Sequence, residues 1–219
     1  MIGADPYYSR PEVSNSDLSA LKNYFMPKDY VMDVTAAYRF GNLIDAMITE
    51  AHRCDHYNLK IDGEQFSRSE WDHASLMRKE FLRDPMAAQM LNLAKGQCVK
   101  SGIVKLDYEG IFFELMMRCK YDLWSDVLRY GGDIKSTTAT TQKQFEDACY
   151  HFDYDRQRAV YMNLSGAQKD VIIGISKVNL KVFKLFINRE SEFYKSGMQK
   201  FREIAFKYWT LFGDVKTEA

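Results

Sequence analysis

The sequence predicts an α/β fold in a single domain: a small central mixed β-sheet flanked by α-helices. Three observations carry this. Residues 14–95 place apolar side chains at helical spacing. From Gln97 the period shortens to two, as Val99, Ile103, Val104 and Leu106 lead to a turn at 107–110 and Ile111, Phe113 and Leu115 follow. Two further β-branched runs, 171–175 and 182–187, then precede a long amphipathic helix over 189–212.

Bulk properties narrow the class. With 219 residues the chain can bury one full core, and 46% apolar with 14% aromatic residues exclude a disordered chain. No apolar run approaches the roughly 20 residues of a membrane span, and no signal-peptide pattern opens the sequence. The expectation is a cytoplasmic protein with no membrane partner. Cys54, Cys98, Cys119 and Cys149 lie far apart without a C-x-x-C pair, which argues for reduced thiols and against structural zinc or an iron–sulfur cluster. Net charge is zero, yet residues 156–219 carry 12 Lys and Arg against 6 Asp and Glu, balanced by the acidic remainder. That asymmetry suits a protein holding a phosphate backbone, or reflects ordinary solvated helix faces.

Each element has a local reason. Ser14 can cap a helix with Asp17 three residues on; Leu18, Leu21 and Phe25 make its apolar stripe, and Pro27 ends it. A second helix spans 33–50, with Gly41 inside it, which points to close packing against a neighbour. His52 and His56 are four apart but lack a third ligand and read as surface residues. Residues 57–67 form a polar connector, 68–82 a helix, and Asp84-Pro85 starts another running to Gly96. Two strands, 119–127 and 132–136, are joined by a turn containing Gly131-Gly132, and helices over 141–151 and 153–164 follow.

The chemistry concentrates in residues 120–135, KYDLWSDVLRYGGDIK. Alternation along a strand puts Asp133 and Lys135 on one side and Ile134 on the other. Asp122 lies opposite them if the strands pair. Two carboxylates and an ammonium at one spot are costly without a purpose. A divalent cation supplies one: hard oxygen ligands suit Mg²⁺ or Mn²⁺, beside which the lysine could hold or activate a water. Glu114 is a further acid on a strand, with a surface place as the plainer reading.

The D-x10-DIK arrangement, the S-N-S-x-L opening at residues 14–18, the G-x-x-x-D stretch at 41–45 and the Q-x-x-x-Y pair Gln157 and Tyr161 together resemble the PD-(D/E)xK nuclease superfamily, in particular its RecE-type branch of phage and prophage exonucleases. The resemblance covers roughly residues 12–165 and implies a restriction-endonuclease-like core. It also implies Mg²⁺-dependent hydrolysis of a DNA phosphodiester, with Mn²⁺ able to substitute. Asp122, Asp133, the Ile134 carbonyl and Asp45 would hold the metal, and Lys135 would serve the attacking water. Asp45 stands where the family carries histidine; aspartate is a competent ligand, and an exposed helix carboxylate is the alternative.

By the same resemblance Gln157 sits near the nucleophile or scissile phosphate and Tyr161 near the DNA backbone. Ser16 lies beside the active-site mouth, where a helix start could receive a terminal phosphate or simply be capped. Ser136 could bond a phosphate or cap the next helix. Arg156 and Arg158 flank Gln157 as phosphate contacts. Lys195, Lys200, Arg202 and Lys207 on the last helix face solvent, DNA or a partner subunit. The implied substrate is a double-stranded DNA end degraded 5′ to 3′, with a single-strand annealing recombinase as partner and a ring-shaped homo-oligomer as assembly. An endonuclease or structure-selective nuclease shares the motif chemistry. A nuclease-like DNA-binding module without catalysis is the reading from a different class.

Overall fold

The computed structural model describes Tyr7, residues 9–27 and residues 35–213. Two helices open it, α1 (Asn15–Phe25) and α2 (Thr35–Thr49). The start at Asp33 expected for the second helix lies outside the described residues. Ser14 caps α1 through a reciprocal box with Asp17, as the spacing requires. Three two-residue strands follow, β1 (Cys54–Asp55), β2 (Lys60–Ile61) and β3 (Glu64–Gln65), where the sequence suggested only a connector. Left-handed Asp62 and Gly63 turn β2 into β3, and Ile61 and Phe66 anchor the small sheet in the core.

Helices α3 (Arg68–Arg83) and α4 (Pro85–Leu93) lead to the long hairpin of β4 (Lys95–Tyr108) and β5 (Ile111–Ser125). Glu109 and Gly110 both take positive φ, the two-residue turn that matches the twist of paired strands. Then come β6 (Tyr130–Thr137), α5 (Gln142–His151), α6 (Tyr154–Ser165), β7 (Lys169–Ser176), β8 (Val182–Asn188) and α7 (Glu192–Phe212). The main sheet has the order β4-β5-β6-β7-β8. Only the β6–β7 pair is parallel, because its connection crosses over through α5 and α6.

The sheet separates two apolar layers. One packs Tyr121, Phe145, Ala159, Tyr161 and Phe201, from the sheet, α5, α6 and α7. The other packs Leu43, Met47, Trp71, Phe81, Met90, Leu123 and Ile134, from the sheet, α2, α3 and α4. Burial of large side chains at roughly 1.5–3 kcal/mol each makes this sandwich the main source of stability.

Two glycine expectations are corrected. Gly131 and Gly132 lie inside β6, and the turn is the stretch 126–129. A Cβ on Gly131 would stand under 3.0 Å from Tyr121 Cε1 and 2.8 Å from Asp170 Oδ2, so glycine serves close packing there. Gly41 has open space around it, and the tight helix crossing occurs instead at Gly197, whose Cβ would strike the Asp155 backbone. The stripe on α7 also stops short of Leu211, which is exposed.

Candidate active site

The site forms where β5 and β6 part. Their backbone pairing runs only from Ser125↔Tyr130 to Leu123↔Gly132. Beyond it the Asp122 carboxylate replaces the missing strand partner: Ile134 N–H donates to Asp122 Oδ2 at 2.8 Å. Side-chain alternation on β5 breaks at the same point, since Tyr121 packs in one apolar layer and Leu123 in the other. An N–H and C=O of one extended residue point to the same strand edge, so the Ile134 carbonyl also faces this split.

Asp133, 2% exposed, lies on the α6 side of the sheet. Its Oδ1 accepts from Arg158 Nη1 at 2.9 Å, and Lys135 Nζ lies 2.6 Å from its Oδ2. Oδ2 is buried, and the Lys135 ammonium balances its charge. Lys135 also sits 5.0 Å from the Tyr154 ring. Burial opposes its charge, but Asp133 and Asp122 outweigh that and raise its pKa.

Asp45 completes the cluster from α2. Burial, then Asp122, pushes its carboxyl well above the usual carboxylate range, while Lys135 pulls it back. Asp45 is half-buried on α2, with Asp122, Asp133 and Lys135 as the charges that act on it. Burial and then Asp133 push Asp122 up to about 6. The structure therefore brings together Asp45, Asp122, Asp133, Lys135 and the Ile134 backbone. Gln157, next to Arg158 on α6, has a buried Oε1 with no hydrogen bond to the described residues.

Other expected site residues lie elsewhere or do other work. Arg158 is fully buried between Asp133 and Asp170, and cannot reach a DNA backbone. Arg156, 2% exposed, is spent on α1: its Nε donates to Asn15 at 3.1 Å and its Nη2 to Ser19 at 2.6 Å. Tyr161 is buried, its ring packed on Tyr121 at 5.1 Å and under the Arg158 guanidinium at 4.5 Å, so it holds the site from behind. Ser16 is exposed on the first turn of α1, whose capping is done by Ser14. Ser136 is half-buried and shares the Ile134 face of β6; Thr141 caps the next helix. The lysines and arginine of α7 pair within the fold, Lys195 with Glu192, Lys200 with Asp153 and Asp155, Arg202 with Asp107 and Lys207 with Glu203. Glu114 pairs with Lys105 on the surface.

The sequence reading missed Asp170 and Tyr154. Asp170 carried a signal: an acid directly preceding the apolar run VIIGI, in a strand register that buries it.

The description of a family, "PDDEXK-like domain of unknown function (DUF3799)", fits residues 21–215. The chain belongs to this family. Three solved structures show what the PDDEXK-like domain is similar to. A candidate exonuclease from Eubacterium rectale matches 89% of this chain and 73% of its own, at 15% identity and a TM-score of 0.52, which shows a shared fold. A phage-related exonuclease from Haemophilus somnus 129PT matches 70% of this chain and 92% of its own, at 11% identity and a TM-score of 0.38. A third, SSO0001, matches 66% of this chain and 69% of its own, at 14% identity and a TM-score of 0.37. No curated protein matches the chain. Among the described residues no helix is long and apolar enough to cross a membrane.

The donors fit a divalent cation. They are hard oxygens, and the carboxylates carry raised pKa values from burial and mutual repulsion that a cation would relieve. Counting Asp45, Asp122, Asp133 and Asp170 against Lys135 and Arg158 leaves two negative charges when all are ionised. Among the described residues no three acids, histidines or cysteines already stand at metal-holding spacing, and the Lys135 ammonium lies against Asp133.

Proposed function

We propose that this PDDEXK-like domain is a divalent-metal-dependent deoxyribonuclease that hydrolyses phosphodiester bonds, using Mg²⁺ with Mn²⁺ able to substitute. The observation that supports it is the convergence of Asp45, Asp122, Asp133 and Lys135 at the β5–β6 split, with the Lys135 ammonium against Asp133 Oδ2. A bound cation would supply a Lewis acid for the phosphate and lower the pKa of water. Asp45, Asp122, Asp133 Oδ2 and the Ile134 carbonyl would hold it. Lys135 donates to the attacking water or to a phosphate oxygen, and the free Gln157 Oε1 accepts from that water and turns its lone pair toward phosphorus. Tyr154, beside Lys135, fixes the ammonium and limits its access to bulk water.

The substrate we assign is a double-stranded DNA end, degraded 5′ to 3′ in phage-type recombination or repair. The resulting 3′ strand would pass to a single-strand annealing recombinase, and a ring of subunits would enclose the duplex. The test is cleavage in Mg²⁺ of a linear duplex beside its covalently closed form, with either 5′ or 3′ end labelled. Loss of the linear form alone, from its 5′ ends, is expected. Cutting of the closed circle would make the protein an endonuclease. Absence of cleavage in Mg²⁺ and Mn²⁺, with DNA binding kept, would leave the binding module, the reading that aspartate in place of the family histidine favours.

A further inference from the structure

The guanidinium of Arg158 has no solvent exposure, and its two edges are divided between two buried acids. Nη2 and Nε face Asp170 Oδ2 at 2.8 and 3.3 Å, while Nη1 donates to Asp133 Oδ1 at 2.9 Å. Ring faces of Tyr161 and Tyr121 stand 4.5 and 4.9 Å from its central carbon and prevent it from swinging. Asp170 is anchored in turn, its Oδ1 accepting from Val171 N–H at 2.7 Å. Glycine at 131 keeps the space beside Asp170 Oδ2 that any side chain would invade.

Packing does not require this arrangement. A buried ion pair is commonly no more stabilising than apolar residues of equal volume, because desolvation offsets the attraction. Its geometry has a specific consequence. One carboxylate oxygen of Asp133 is committed to Arg158, and the other is kept off the guanidinium, 2.6 Å from the Lys135 ammonium at the split.

We propose that Arg158, clamped by Asp170, is a positioning residue that fixes the Asp133 carboxylate and presents Oδ2 alone, making Asp133 a one-oxygen ligand for the divalent cation. This rests on the nuclease reading only for the identity of the centre. Asp170 acts through Arg158. Asparagine keeps an acceptor but no charge, so the guanidinium, still held between the two rings, spends its charge on Asp133 alone and weakens that carboxylate's hold on a cation. The local negative charge falls by one at the same time. Both effects weaken cation binding.

The test measures Mn²⁺ affinity without DNA, by calorimetry or by paramagnetic resonance of free Mn²⁺, for wild type and Asp170→Asn. Binding is expected to weaken about tenfold, within the range typical for groups that orient a metal ligand. The Mg²⁺ concentration giving half-maximal cleavage should rise by a similar factor, with the rate at saturating Mg²⁺ largely restored. Phe201→Leu, a core change in α7, serves as the control for general loosening and should leave Mn²⁺ affinity within twofold. Equal affinity in wild type and Asp170→Asn overturns the proposal while the nuclease reading stands. Absence of Mn²⁺ binding to wild type overturns both. If Asp170→Asn does not fold, a wild-type crystal soaked in Mn²⁺ decides: Oδ2 on the metal with Oδ1 kept by Arg158 supports the proposal, and both oxygens on the metal refute it.

Discussion

Replacing Asp122 with asparagine should stabilise the metal-free protein while abolishing its metal chemistry. Burial and the neighbouring Asp133 raise Asp122 from an ordinary 3.8 to about 6. Each pKa unit corresponds to about 1.4 kcal/mol, so holding this carboxylate ionised at neutral pH costs the fold about 3 kcal/mol. The folded protein binds this proton between pH 4 and 6 while the unfolded chain has already released it. Stability from this group is therefore complete below pH 4 and is lost as pH rises through 6. Asp45, raised for the same reasons, adds in the same direction.

Asparagine keeps an acceptor for the Ile134 N–H and removes the charge, so the strand split should survive. Thermal unfolding in EDTA should then show Asp122→Asn melting about 5–10 °C above wild type at pH 7.5, with the gap falling to about a third of that at pH 4.5. Mn²⁺ affinity of the variant should fall about a hundredfold or more. A variant no more stable than wild type at pH 7.5, or one stabilised equally at both pH values, refutes the idea that repulsion among these acids is stored in the metal-free fold.

Other outcomes follow from the same geometry. Lys135→Ala should lower cleavage about 10²–10⁴-fold while DNA affinity changes by less than about threefold in a filter or anisotropy assay. Gln157→Leu removes a buried acceptor that has no partner, so urea unfolding should show equal or greater stability while turnover falls about tenfold or more. Gly131→Ala should cost about 1–3 kcal/mol by the same method, because Tyr121 and Asp170 must move. Gly41→Ala, in an open helical position, should instead gain about 0.5–1 kcal/mol.

Local signals in the sequence were sufficient for most elements and for the acid–lysine core of the site. The capping box at Ser14, the Asp84-Pro85 helix start and the turn at Glu109-Gly110 each use contacts within a few residues, which a single chain displays directly. Asp133 and Lys135 share a side of β6 by strand alternation alone. The Q-x-x-x-Y pair was legible as a motif, but its division of labour was not: Gln157 Oε1 is buried without a hydrogen-bond partner, whereas Tyr161 packs on Tyr121 and the Arg158 guanidinium.

The sequence by itself determined that a sheet lies between helices, and that two aspartates and a lysine lie within reach of one another. Tertiary structure decided which charges are spent. Arg156 and Arg158 read identically along the chain, two cations beside a glutamine. A helical step between them sends one to Asn15 and Ser19 and the other between two buried carboxylates. Asp170 showed itself in sequence only as an acid before an apolar run; it lies 37 positions after Asp133 and is joined to it by parallel pairing of β6 with β7 and by the bridging Arg158. Periodicity records which side of an element a residue occupies. The partner waiting there, and the dielectric that sets what their meeting is worth, exist only once distant segments have packed.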